Sequence, residues 1–361
     1  MSIEARFQID RGDFCLDVDV RFPGRGVSAV FGPSGSGKTT LLRAMAGLEK
    51  AAGSYLKVGD QVWQDETCFI APHRRAVGYV FQEPSLFEHL DVRRNIAYGR
   101  KRVAPEARKV SLEHVIDLLG LGRLLARYPR QLSGGEQQRV AIARALATSP
   151  AVLLMDEPLA SLDEARKDEI LPYFESLHRE LDIPMLYVSH SKDEVMRLGD
   201  HMVLLDKGRV LATGGVAEVF SSMDLPLAHA PDARSVIEGV VVAQDEEFGL
   251  SYVEFSGGRF AVANNGLVAD ESLVLGSTVR LLVRASDISV TLERASNTSV
   301  MNVFAATVAE LAREGAAHVT VSLSVGAVAM IARITRKSAT VLGLEPGMRV
   351  FVQIKSVALL R

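Results

Sequence analysis

Gly32-Pro33-Ser34-Gly35-Ser36-Gly37-Lys38-Thr39 stands between a short β-branched run, Val27 to Phe31, and an apolar-periodic stretch carrying Leu41, Leu42 and Met45. The order is strand, glycine loop, helix. Glycines in such a loop let consecutive backbone N–H groups turn inward at a helix N-terminus and form an anion nest. A lysine at position 38 reaches the β- and γ-phosphates of a bound nucleotide, and the next hydroxyl, Thr39, is offered to Mg²⁺. The stretch is therefore read as a nucleotide phosphate site, formed by Gly32 to Thr39 with Thr40 beside it.

The flanking sequence alternates strands and helices. Residues 1 to about 26 alternate apolar and polar side chains (Phe7, Ile9; Phe14, Leu16, Val18, Val20), the period of antiparallel strands with one buried face. Gly53 to Phe69 reads as a second small β element turning at Gly59-Asp60. Val77 to Phe81 is a short buried strand ending at Gln82, and Asp91 to Leu125 has a helical pattern. Leu132-Ser133-Gly134-Gly135-Glu136-Gln137-Gln138-Arg139 then leads into a strongly helical run. Ser133 and Glu136 have the spacing of a capping box, so the glycines open a second phosphate-binding helix N-terminus. Pro150 to Met155 is a continuous apolar run ending in Asp156-Glu157, as a parallel strand covered on both faces requires. Met185 to Val188 repeats the pattern and ends at Ser189-His190. Such alternation implies a doubly wound parallel sheet with its ligands at the strand ends.

Composition bounds the rest. The chain has 361 residues, enough for two or three domains with full cores, and a net charge of −3 gives no basic field to draw nucleic acid. Cys15 and Cys68 lie far apart, without metal-ligand spacing, which fits a reducing compartment. The charged start of the chain is unlike a signal peptide, and no uncharged apolar run is long enough to span a bilayer. Near residues 228–235 the pattern changes. Short β-branched runs separated by glycine or charged turns then fill Val236 to Arg361, read as an all-β region of small barrels split near Ser296.

Taken together, Gly32–Thr39, Gln82, Leu132–Arg139, Val152–Glu157 and His190 resemble, in order, the Walker A, Q-loop, signature, Walker B and H-loop motifs of ABC transporter ATPases. The resemblance covers about residues 1 to 230. It implies an α/β P-loop NTPase (ABC ATPase) domain over 1–230, followed by an all-β, OB-like regulatory (Mop/TOBE) region. That region comprises a linker and β-rich segment at 231–296 and a Mop-like barrel at 297–361.

The resemblance also implies roles. Glu157, His190 and Gln82 become catalytic, with Glu157 as general base. Thr39, Gln82 and Asp156 become the Mg²⁺ set, and ATP and Mg²⁺ the cofactors. Ser133, Gly134, Gly135 and Glu136 face ATP held by another subunit, so a head-to-tail homodimer is implied. Asp163 is either the D-loop aspartate or a plain helix cap. Phe14 is either the adenine-stacking aromatic or a core strand residue. Glu83 to Asn95 is either the docking surface for a membrane permease or a simple surface loop.

Arg284-Ala-Ser-Asp-Ile-Ser289 is similar to a stretch of the regulatory extension of ABC importers for sugars and oxyanions. Ser299-Val-Met-Asn302 and Val352-Gln-Ile-Lys355-Ser356 resemble a molybdate-binding Mop domain, which makes Ser299, Asn302, Lys355 and Ser356 an oxyanion set for molybdate or tungstate. Met301 stands where the family often has arginine, and a barrel kept for dimer contacts is the other reading. Leu171-Pro172-Tyr173-Phe174 and Ile183 to His190 are similar to molybdate-importer ATPases. The expected protein is a peripheral ATPase subunit on the cytoplasmic face of the bacterial inner membrane. A membrane permease and a periplasmic molybdate-binding protein complete it. The alternatives are another cargo (sulfate, iron, polyamine or sugar), a soluble ABC ATPase without a transport role, and a non-enzymatic molybdate sensor.

Overall fold

The computed structural model describes residues 2–264 and 274–360. The chain divides into two compact units, Met1–Gly214 and Gly215–Arg361.

The first unit is built on one ten-stranded sheet. Its middle is parallel. Strand β3 (Val27–Phe31) lies between β8 (Met185–Ser189) and β9 (His201–Asp206), and β7 (Val152–Asp156) and β6 (Val77–Val80) continue beyond β8. Both faces of these strands are covered. Alternate residues of β7 and β8 enter two different cores. Leu153, Met155, Met185 and Tyr187 join one, and Val152, Leu154, Leu186 and Val188 the other. That is why these runs show no polar alternation in the sequence. The antiparallel strands β1 (Ser2–Asp10), β2 (Cys15–Pro23), β4 (Tyr55–Val58) and β5 (Gln61–Gln64) extend the same sheet on the far side of β10 (Arg209–Gly215). Because β3, β7 and β8 are parallel, their C-terminal ends share one rim. Gly32, Asp156 and Ser189 therefore arrive there together.

The helical pattern of Asp91 to Leu125 resolves into separate helices. It forms α2 (Val92–Arg100) and α3 (Leu112–Leu118), with Pro105 opening a single 3-10 turn between them. Proline lacks the N–H that a continuing helix needs, so it can only open a new turn.

Among its described residues the second unit holds two five-stranded sheets. One contains β11 (Arg234–Asp245), β12 (Leu250–Phe255), β13 (Gly258–Ala263), β14 (Thr278–Arg284) and β20 (Ala358–Leu360). The other contains β15 (Ile288–Thr291), β16 (Asn302–Glu314), β17 (His318–Val325), β18 (Val328–Thr335) and β19 (Arg349–Ile354). The expected division near Ser296 is crossed in both directions. β15 lies before it yet pairs with β19, and β20 lies after it yet pairs with β14. A single core takes Ile237, Val253 and Leu281 from one side and Val308, Val321 and Val352 from the other. The expected boundary at 230 also falls inside this unit, which begins at Gly215.

Candidate functional site

The phosphate loop follows β3 directly and runs into helix α1 (Lys38–Met45). Gly37 is the N-cap, with φ 102°, and has no side chain to cap the helix. Its left-handed backbone favours glycine, and a Cβ there would press within 2.8 Å on the side-chain ends of Phe14 and Leu16. Ser36 is buried, and its Oγ lacks a hydrogen-bond partner among the described residues. Lys38 is buried as well. Its Nζ donates to the carbonyls of Gly32 and Pro33, both at 2.9 Å, and desolvation lowers its pKa. An ammonium satisfied by neutral carbonyls is poised for a stronger anionic acceptor.

Asp156, at the end of β7, has one donor on each oxygen. Thr39 Oγ1 donates to Oδ1 at 2.9 Å and the Tyr79 hydroxyl to Oδ2 at 3.1 Å. Burial raises the Asp156 pKa, opposed by these two hydrogen bonds. Glu157 follows at φ 45°, a strained conformation for a residue with a Cβ, and its N–H donates to Val188 O. Its Oε2 meets His190 Nδ1 at 3.1 Å. A cavity of about 440 Å³ is lined by Arg11, Phe14, Ser34, Gly35, Gly37, Lys38, Thr39, Thr40 and Glu157. Gln82 is exposed beyond the end of β6 and does not line it. Phe14 fits both of its expected descriptions: it packs on the core and lines the cavity.

The signature stretch forms the N-terminus of α4 (Gly134–Leu146). The capping box is present: Ser133 N–H donates to Glu136 Oε2 at 2.7 Å, and Glu136 N–H to Ser133 Oγ at 3.3 Å. Gly135 is packed so closely that a Cβ would meet Ile170 Cδ1 at 2.7 Å. A separate cavity of about 420 Å³ includes Ser133, Gly135, Glu136 and Arg166. Within this one chain the signature and phosphate-loop cavities have no lining residue in common. Asp163 caps α5 (Glu164–Glu180), accepting from Arg166 N at 3.0 Å.

Sequence reasoning missed what shapes the segment after Gln82. The buried amide of Asn95 gathers it. Phe87 N donates to Asn95 Oδ1, and Asn95 Nδ2 donates to the carbonyls of Phe87, Leu90 and Asp91. Arg144 reaches across from α4 to the carbonyls of Pro84 and Ser85 and lies over the Phe87 ring. Tyr79, which bonds Asp156, and Arg11, which lines the phosphate-loop cavity, likewise carry no motif that marks them.

Of the expected oxyanion residues, Asn302 and Ser356 already hydrogen-bond within the chain. Asn302 is buried, and its amide exchanges both bonds with the backbone of Ala261. Ser356 Oγ donates to Asp287 Oδ2 at 2.8 Å, so an anion there competes with a carboxylate. Ser299 and Lys355 are exposed.

Residues 16–160 match the ABC transporter family, and residues 298–360 match the TOBE domain. The molybdenum import ATP-binding protein ModC 1 of Azotobacter vinelandii is 54% identical over 362 residues, covering 99% of either chain. The chain belongs to this family of molybdenum import ATP-binding proteins. The family member ModC of Pseudomonas fluorescens is 50% identical, with both chains covered in full. Among solved structures, cbiO1 of Clostridium perfringens, part of the ABC transporter complex cbiONQ, matches with a TM-score of 0.51 and 26% identity. The match covers 61% of this chain and 90% of that one. As an ABC ATPase of this family, the chain pairs an α/β nucleotide-binding unit with a β-rich C-terminal unit, which also carries short helices at Val216–Ser221 and Arg336–Leu342 and so is not all-β as expected. No helix among its described residues is long and apolar enough to cross a membrane.

Proposed function

We propose that this chain is the ATP-hydrolysing subunit of an importer that carries molybdate across the bacterial inner membrane. The hydrolytic part rests on Lys38, Thr39, Asp156, Glu157 and His190 gathered at one rim of the parallel sheet. The cargo rests on the end-to-end likeness to relatives named for molybdenum import.

The chemistry follows from the side chains. Lys38 exchanges its two carbonyls for the β- and γ-phosphates. The Ser36 hydroxyl and the loop N–H groups donate to the remaining phosphate oxygens. Thr39 and Asp156 fit Mg²⁺, because a hydroxyl and a carboxylate 2.9 Å apart are hard oxygen donors of the kind that ion takes alongside phosphate. When bound, Mg²⁺ neutralises charge developing on the phosphoryl oxygens. Glu157 accepts the proton of the attacking water, and His190 holds that carboxylate in place and faces the γ-phosphate. Gln82 senses the occupied site from its exposed position after β6. Phe14 and Arg11 border the nucleoside end of the cavity.

Ser133, Gly134 and Gly135 of a second copy complete each site, giving a head-to-tail dimer with ATP between the chains. Loss of the γ-phosphate reopens that dimer. The segment from Glu83 to Asn95, braced by Asn95 and Arg144, is where a membrane permease docks. The chain would thus be peripheral, on the cytoplasmic face, and a periplasmic binding protein would deliver molybdate.

A strain lacking its own copy of this chain tests the reading. At trace molybdate it should fail to accumulate molybdenum. The intact chain should restore uptake, and Glu157→Gln should not, although the variant still binds ATP. Full rescue by Glu157→Gln would sink the general-base role. Unchanged molybdenum uptake in the deletion strain would return the cargo to sulfate, iron, polyamine or sugar.

A further inference from the structure

The Tyr79 hydroxyl is the second donor to Asp156, and nothing in the hydrolytic chemistry above uses it. Its placement follows from sheet register. β6 and β7 are parallel, and Tyr79 is paired with Leu154. Side chains in register point to the same face, and the face repeats every second residue. Asp156 lies two residues beyond Leu154, so Tyr79 and Asp156 share a face on adjacent strands. The ring also has an aromatic neighbour: Phe81, one residue beyond the end of β6, has its ring centroid 4.4 Å from that of Tyr79. Phe81 immediately precedes Gln82.

A carboxylate at a strand end rotates easily about its last torsion, which is broad and two-fold. A donor on each oxygen removes that freedom. Thr39 holds Oδ1 and Tyr79 holds Oδ2. In this pair the phenol O–H is the donor, because an ionised carboxylate can only accept.

We infer that Tyr79 is a positioning residue for the metal: its hydroxyl fixes the plane of the Asp156 carboxylate so that Oδ1, with Thr39, is presented to the ion. Outer partners of this sort commonly change metal affinity by about ten- to a hundredfold when removed. The inference rests on the reading of Asp156 as the metal carboxylate, and the experiment separates the two.

The full-length chain carrying Glu157→Gln, which prevents turnover, is titrated with Mn²⁺ in the presence of ATP. Free Mn²⁺ is read by electron paramagnetic resonance, and ATP binding without metal is measured in EDTA. Tyr79→Phe keeps the ring on Phe81 and removes only the hydroxyl. It should weaken Mn²⁺ binding by about tenfold while leaving metal-free ATP binding unchanged. Tyr79→Met should weaken Mn²⁺ binding to the same degree. Asp156→Asn should abolish it. If Asp156→Asn abolishes Mn²⁺ binding and Tyr79→Phe leaves it intact, the positioning role is overturned and the site reading stands. If Asp156→Asn leaves Mn²⁺ binding intact, the metal reading fails and the inference falls with it. A loss in Tyr79→Phe matched by an equal loss of metal-free ATP binding, or a loss seen only in Tyr79→Met, would also overturn it.

Discussion

Asp156 shows at the scale of one residue how a site works against the stability of its own fold. Its pKa is raised by burial, so the folded chain binds a proton there more readily than the unfolded chain does. The sign is opposite to that of a paired surface carboxylate. The cost is present at neutral pH, where the side chain is charged, and is relieved as pH falls through the folded value. Without metal or nucleotide, Asp156→Asn should therefore melt at or above the wild type at pH 7, and the gap should close on acidification. Calorimetry across pH checks this, and a variant melting several degrees lower at pH 7 would contradict it. Much at this scale was legible beforehand. The pairings of Thr39 with Asp156 and of Glu157 with His190 join residues named from the glycine loop and from the resemblance to ABC ATPase motifs. Tyr79 was not legible, because its reach to Asp156 depends on the register between β6 and β7. That register is a long-range property, and local sequence does not encode it.

At the scale of elements, local signals were read well and non-local ones were not. The capping box at Ser133 and Glu136 and the cap at Asp163 are both formed, since each needs only residues three apart. Asn302 shows the contrary case. Its resemblance to an anion-binding position is local, whereas its actual bonds run to Ala261 on β13, with the Ala261 N–H donated to Oδ1 at 2.8 Å and Nδ2 donating to Ala261 O at 3.1 Å. This amide stitches β16 to a strand of the other sheet. Asn302→Leu leaves a buried donor and acceptor unmet, which costs about 1–3 kcal/mol. Urea unfolding of the full chain should show a loss of that size. No loss would mean that water replaces the amide. Asn95 does similar work for the segment after Gln82, and its four bonds to residues 87–91 were equally invisible before the fold was known.

Over the whole molecule, the order of motifs carried the α/β unit, because parallel strands with ligands at one rim follow from alternating strand and helix patterns. The C-terminal unit was legible only as β-rich. Its strands interleave across Ser296, and short β-branched runs do not say which sheet each one joins. The phosphate loop and the signature line separate cavities in one chain, the arrangement expected if each is completed by a second copy. ATP hydrolysis by an equimolar mixture of two inactive variants, Lys38→Ala and Ser133→Arg, tests this most directly. Each mixed dimer keeps one intact phosphate loop facing one intact signature. Hydrolysis well above that of either variant alone is expected, and a mixture no more active than its components would contradict the shared site.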